Sequence, residues 1–374
     1  MISVRDGQNH ILAQIERPVP PELLAIGDAL GRVVVDDVCA PFDVPPADNS
    51  AVDGYAFASS DVEAGRGLQV IADLPAGSVF DGALVAGQTV RIMTGAPIPA
   101  GADTVCPQEL AVRTGDRVAI APEIVKGVNV RARGEDVQTG TVVVAAGSVL
   151  RPQEIGLIAS LGQRQVLVSQ RPKVALLSTG DEVAEPGQPR TPGQIYDSNR
   201  FTLHGLVTQA GGAVVDLGIV PDKRDVLRAR LLDAAAIADV VITSGGVSVG
   251  VYDLVKDVLS EIGGIDFWQV AMQPGRPLAV GRVERAHFFG LPGNPVASML
   301  TFMLFVRPAL FKLAGRREFK RGILEFHDGA WQVRTTGPQG SGILSSMVAG
   351  NCLIVLDEER GDVALGEPVL VEPF

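Results

Sequence analysis

The feature that most constrains this chain is the rhythm of its second half, where short apolar strands and helical segments alternate from residue 171 to residue 313. Strands are expected at 173–177, 213–218, 239–243 and 287–290. Helices are expected at 199–210, 222–236, 252–262 and 294–313, and in the first of these Phe201, Leu206 and Ala210 fall on one face. Parallel strands need long crossovers, and helices supply them. The pattern therefore predicts a three-layer α/β domain, a mostly parallel sheet with both faces covered, over 172–314.

The text on either side is different. Between 41 and 149, short β-branched runs stand between glycines and prolines, which predicts an all-β, β-rich insertion. Residues 1–40 read as helical, because Leu23, Leu24, Ile26 and Leu30 follow a helical spacing after the prolines at 18–21. With a helical patch at 152–161 and a strand at 165–169, they are expected to form one small discontinuous helical subdomain, 1–40 and 150–171. Beyond 315 the chain returns to short strands, a small β module over 315–374.

Charge and cysteine usage narrow the class of partner. A formal net charge of -11 repels phosphate backbones over most of the surface, so nucleic acid is not an expected partner. An anionic ligand must then be met locally, by backbone N–H groups, a few basic side chains or a bound cation. Three scattered cysteines and four scattered histidines show no zinc-like spacing and fit a reducing compartment. The N-terminus lacks the pattern of a secretory signal, and the longest apolar stretch, 296–306, falls short of the ~20 residues that span a bilayer. No membrane partner is expected, and the localisation expected is cytoplasmic.

In open α/β sheets ligands bind beyond the carboxyl ends of the strands. Three loops there stand out: 178–182 (STGDE), 244–250 (SGGVSVG) followed by Asp253, and 291–295 (LPGNP). Glycine lets backbone N–H groups approach an oxyanion closely, and a following helix adds its partial positive charge. The expected site is thus a phosphate or other oxyanion pocket. It draws on Ser178, Thr179, Gly180, Asp181, Ser244, Gly245, Gly246, Ser248, Gly250, Pro292, Gly293 and Asn294. No GxxxxGK[ST] and no GxGxxG opening a helix occurs, which argues against a P-loop kinase or a Rossmann dehydrogenase. Asp181, Glu182 and Asp253 share the rim, where carboxylates beside a phosphate suit a hard cation such as Mg²⁺. The insertion adds 48–56 (DNSAVDGYA), 91–97 (RIMTGAP) and 133–136 (RGED). On residue chemistry alone these are polar structural turns.

Taken in order, these motifs, with 101–103 (GAD), 193–199 (GQIYDSN) and 290–296 (GLPGNPV), closely resemble the molybdopterin molybdenumtransferase family, the bacterial counterpart of the gephyrin E domain. The resemblance covers nearly the whole chain. It implies a homodimer of four-part subunits, the last part a C-terminal β-barrel, with the active site across the subunit interface. It also implies a reaction: molybdenum from molybdate enters adenylylated molybdopterin, AMP is released, and Mg²⁺ is the metal. A non-catalytic molybdopterin carrier or chaperone is the alternative. Carried over by position, the functional residues fall on Asp53, Thr94, Asp136, Glu182 and Asp253, with Ser198 added to the substrate loops. Asp181, Glu182 and Asp253 become the metal ligands, and Gln273, Arg276 and Ser298 the molybdate residues. Gln269 and Gln273 stand where the family usually has lysines. A molybdopterin adenylyltransferase and molybdoenzyme acceptors are the further partners the resemblance suggests.

Overall fold

The computed structural model describes residues 1–16, 18–63, 67–120, 124–245, 254–315, 318–327, 329–336, 352–356, 363 and 365–373. They form two compact units. One comprises Met1–Asp36, Ala145–Gly156 and Gln163–Phe374; the other comprises Asp37–Val144 and Leu157–Gly162.

The first unit is built on the expected sheet. Its strand order is Ala213–Val220, Lys173–Thr179, Val240–Ser244, Ala286–Leu291, Pro277–Val283 and Gly263–Gln269. The first four are mutually parallel, and the last two run antiparallel. They join through connections too short for a crossover, so only an antiparallel pairing is open to them. Alternation along each strand feeds two cores. Val174, Leu176, Val240, Ile242 and Phe289 face one layer of helices, carrying Leu203, Val207, Phe302 and Leu310. Ala175, Leu177, Val241 and Phe288 face the other, carrying Leu227, Leu231, Val258 and Leu259.

The helix Pro295–Leu313 is 19 residues long and apolar enough to meet the length and composition of a membrane span, and half of it is buried inside this core. Residues Phe302–Val306 take a π-helical turn just ahead of Pro308. Proline has no N–H to give the Leu304 carbonyl four residues back. Gln8 supplies the missing donor, its Nε2 reaching that carbonyl at 2.8 Å. Gln8 lies on the N-terminal helix Val4–Ala13, whose Ile11 joins the same core.

The helix expected over 23–30 does not form. Pro21–Ala25 is a strand, paired antiparallel with Gln165–Ser169. Pro20 and Pro21 favour extended backbone, and a strand may begin on proline because its missing N–H costs nothing there. Arg32 fastens the pair, with an ion pair to Glu22 and a hydrogen bond to the Ser169 carbonyl at 2.5 Å. A long-range partner has overridden a weak local periodicity. The helical patch at 152–161 is present as Pro152–Ser160. Near the C-terminus, Glu318–His327, Ala330–Thr335, Cys352–Leu356 and Leu370–Pro373 make a four-stranded antiparallel sheet.

The second unit is β-rich. Its six-stranded sheet runs Thr104–Pro107, Gly54–Phe57, Gln88–Ile92, Leu68–Leu74, Arg117–Ile120 and Ala111–Thr114. It departs from the all-β expectation in two short turns, Ser59–Glu63 and the 3-10 turn Gln108–Leu110. A distant residue caps the first: Asp103 accepts from the Ser59 N–H at 2.8 Å and the Ser59 hydroxyl at 3.0 Å.

Candidate active site

Parallel register sets the geometry in the α/β unit. Ser178 lies opposite Ser244, and Ser244 opposite Leu291, so three strands end in one row. The loops that follow are locked together. The Gly245 N–H donates to the Leu291 carbonyl at 3.1 Å. Asn199 Nδ2 donates to Ser244 Oγ at 2.8 Å and to the Gly293 carbonyl at 2.7 Å. A Cβ added to Gly245, whose φ is +92°, would stand 3.0 Å from the Thr179 carbonyl oxygen. Only glycine allows this approach without strain.

Of the residues expected here, Ser178, Thr179, Gly180, Ser244, Gly245 and Gly293 come together at this edge. Ser178 and Thr243 are buried with hydroxyls that have no hydrogen-bond partner among the described residues. Ser198 and Asn294 are exposed, each next to a helix start: Asn199–Gln209 and Pro295–Leu313. The first N–H groups of a helix lack intrahelical partners; in Asn199–Gln209 that of Arg200 is taken by Asp197 Oδ1 at 3.1 Å. Gly246, Ser248, Gly250 and Asp253 lie outside the described residues.

Acidic residues crowd the same rim. Glu182 packs its carboxylate against the Cα of Gly180, whose φ is +126°. Asp181 Oδ1 accepts from the Asp222 N–H at 3.3 Å. Burial, with the neighbouring Asp181 and Glu182 charges, raises the Asp222 carboxyl above its ordinary value. Asp222 enters the sequence reading only as a helix start. It follows Pro221 at the end of Ala213–Val220, a loop without the glycine and hydroxyl pattern that drew attention to the others. The rule of carboxyl-end loops, applied to every strand, points to it.

Behind the rim, Arg200 is 4% exposed and anchors the loop. Its Nε bonds Asp197 at 3.0 Å, its Nη1 bonds Asp216 at 2.5 Å, and its Nη2 pairs with Glu185. These three carboxylates hold its guanidinium charged, against the opposing effect of burial.

The molybdate candidates separate by burial. Gln273 and Arg276 are exposed in the turn between Gly263–Gln269 and Pro277–Val283. The turn lies on the helix Pro295–Leu313, since a Cβ on Gly275 would stand 2.9 Å from Thr301 Oγ1. Ser298, on that helix, is 1% exposed and its hydroxyl has no partner.

In the β-rich unit the three motifs interlock. Asn49 is bridged to Pro97 and lies opposite Arg131, while the Gly95 N–H donates to the Ser50 carbonyl at 2.8 Å. Asp53 accepts from both the N–H and the hydroxyl of Thr94 at 2.7 Å, which lowers its pKa. A Thr94→Val variant keeps the backbone donor and loses the hydroxyl. The Asp53 carboxyl titration, followed by ¹³C NMR, should then move to higher pH; an unchanged midpoint would remove the hydroxyl from the account. Asp136 lines a cleft of about 460 Å³ with Val44, Pro45, Asn49, Arg131 and Glu135.

Fold and site together define an α/β protein whose parallel strands end in glycine and hydroxyl loops with acids beside them. Residues 2–162 match the family model for the MoeA N-terminal region (domain I and II), 175–312 the probable molybdopterin binding domain, and 307–374 the MoeA C-terminal region (domain IV). The chain is 40% identical to the molybdopterin molybdenumtransferase of Haemophilus influenzae, over 100% of this chain and 99% of that one. It is 37% identical to molybdopterin molybdenumtransferase 2 of Mycobacterium tuberculosis, over 99% of each. The crystal structure of the molybdopterin biosynthesis moeA protein from Pyrococcus horikoshii OT3 superposes with a TM-score of 0.75 at 30% identity, over 100% of both chains. The chain belongs to the molybdopterin molybdenumtransferase family.

Proposed function

We propose that this protein inserts molybdenum from molybdate into adenylylated molybdopterin with release of AMP, a step of molybdenum cofactor biosynthesis. One observation carries the reading. The relatives matched over full length bear that name, and the edge of the parallel sheet offers an anion backbone and hydroxyl groups without a basic cluster. Ser178, Ser244, Gly245 and the two helix starts hold the phosphate oxygens of the substrate. Glu182 orients the oxygen that attacks the phosphoanhydride, and Asp222 holds a proton to higher pH than an ordinary carboxyl. In the β-rich unit, Asp53, fixed by Thr94, and Asp136 are the further functional acids.

The rim's donors are carboxylate oxygens, the chemistry that suits Mg²⁺, although no group of three potential ligands gathers among the described residues. Asp181 and Glu182 would hold the ion together with Asp253. Bound there, Mg²⁺ would supply neutralisation of charge on the phosphate oxygens. Gln273, Arg276 and Ser298 would receive molybdate.

The working form we propose is a cytoplasmic homodimer, its active site across the subunit interface. Each subunit has four parts: a small discontinuous helical subdomain, the β insertion, the α/β domain and a C-terminal part closing as a β-barrel. A molybdopterin adenylyltransferase and molybdoenzyme acceptors are the partners that would supply the substrate and take the product.

A second reading, a carrier that binds molybdopterin without transferring metal, is favoured by Gln273, exposed and neutral in the turn where a lysine would offer charge. AMP release from adenylylated molybdopterin with Mg²⁺, with and without molybdate, separates the two. Molybdate-dependent release with molybdenum retained on the pterin is the expected result. Tight binding without release would establish the carrier instead.

A further inference from the structure

The 460 Å³ cleft of the β-rich unit has a polar pattern that its own residues leave unused. Pairing fixes its walls. Asn49 and Arg131 are directly opposite on antiparallel strands, so their side chains share a face. The N–H groups of Asp136 and Val137 both donate to the Val44 carbonyl at 3.0 Å, which sets Asp136 beside Val44 and Pro45. Asn49 Oδ1 is buried with no hydrogen-bond partner among the described residues. Neither the Arg131 guanidinium nor the Asp136 carboxylate has a hydrogen bond or ion pair among the described residues. Glu135 is partly engaged, its Oε2 accepting from the Ala132 N–H at 2.9 Å.

The sum of these groups excludes some ligands and selects others. Two carboxylates against one guanidinium leave the cleft negative, so an oxyanion such as molybdate or phosphate is repelled. The unused groups are two acceptors, Asp136 and Asn49 Oδ1, next to one donor, Arg131, above the apolar side of Val44 and Pro45. A flat heterocycle with adjacent N–H and NH₂ donors and a neighbouring carbonyl satisfies Asp136 and Arg131 together. A carboxylate takes such a pair of donors in two parallel bonds.

We propose that this cleft binds the aminopyrimidinone edge of a pterin, with Asp136 accepting from the ring N–H and the amino group and Arg131 donating to the ring carbonyl. The assignment rests on the molybdopterin reading above and names the part of that substrate which this unit holds. It makes Arg131 a binding residue, and gives Asp136 a recognition role through its two acceptor oxygens.

The test uses the full chain and two fluorescent probes, pterin and lumazine, which differ in that lumazine carries a carbonyl where pterin carries the amino group. A carbonyl facing a carboxylate loses a hydrogen bond and sets two acceptors against each other, which disfavours it. Pterin should bind at least about tenfold tighter than lumazine. Asp136→Asn, which offers a donor of its own, should abolish the preference, and Arg131→Met should weaken both probes. Equal binding of the two probes, or a preference that survives Asp136→Asn, would overturn the assignment. The AMP-release assay reports separately. Release without a pterin preference overturns the cleft assignment and leaves the transferase reading standing; a preference without release does the reverse.

Discussion

Replacing Glu182 by glutamine is expected to slow AMP release by about 10²- to 10⁴-fold, the range a positioned acid or base contributes. The fold should be intact, because the exchange preserves shape, and substrate affinity should change little. Gly180→Ala gives an independent test of the same point. A Cβ at position 180 would overlap the Glu182 carboxylate, standing 2.7 Å from Oε1, and φ of +126° disfavours any residue with a side chain. The carboxylate is the free end of a flexible side chain, so it moves aside rather than splitting the sheet. The variant should therefore lose turnover through a displaced Glu182, at about 1–3 kcal/mol of backbone strain. Full activity in both variants would remove Glu182 from the chemistry.

The largest stability effect is expected from Arg200→Met. Removing one partner of a buried ion pair leaves an uncompensated charge, at a cost of about 3–5 kcal/mol. Here the lower end applies. Asp197 is 4% exposed and has no other cation in reach, whereas Glu185 and Asp216 can turn to water. Both tryptophans, Trp268 and Trp331, belong to the unit that contains Arg200, so their fluorescence in denaturant follows the relevant transition. Arg200→Lys should recover part of the loss, since an ammonium restores the charge but not the three-way fork. A loss under about 1 kcal/mol would mean that the three carboxylates are already solvated.

Much of this was legible in the sequence because the signals were periodic. The strand and helix alternation of 171–313 follows burial on two faces of one sheet, and that pattern is written in the side chains themselves. The glycine and hydroxyl loops after Lys173–Thr179, Val240–Ser244 and Ala286–Leu291 were legible for the same reason: tight backbone approach needs those residue types. The strand Pro21–Ala25 was not, because its partner lies about 140 residues away and its own apolar spacing fits a helix equally well. The roles of Asn199 and Asp222 also escaped: the sequence marks Asn199 only as the end of the 193–199 motif and the start of a helix, and Asp222 only as a helix start. Asn199 matters because it reaches Ser244 and Gly293, and Asp222 because Thr179 and Val220 share a register.

The amide of Asn199 has a consequence for how a ligand is recognised. By tying Ser244 to Gly293 it fixes the two loop ends, so that the anion site proposed here would be made of peptide dipoles and hydroxyls, none of which titrates near neutrality. Such dipoles act over the width of a helix turn and fade beyond it. In an acidic protein, an anionic ligand of the proposed site would therefore not be drawn in from afar; it would be held once its contour fits. Selection at this edge rests on shape and hydrogen-bond direction, and ionic strength and pH will speak mainly through the carboxylates beside it.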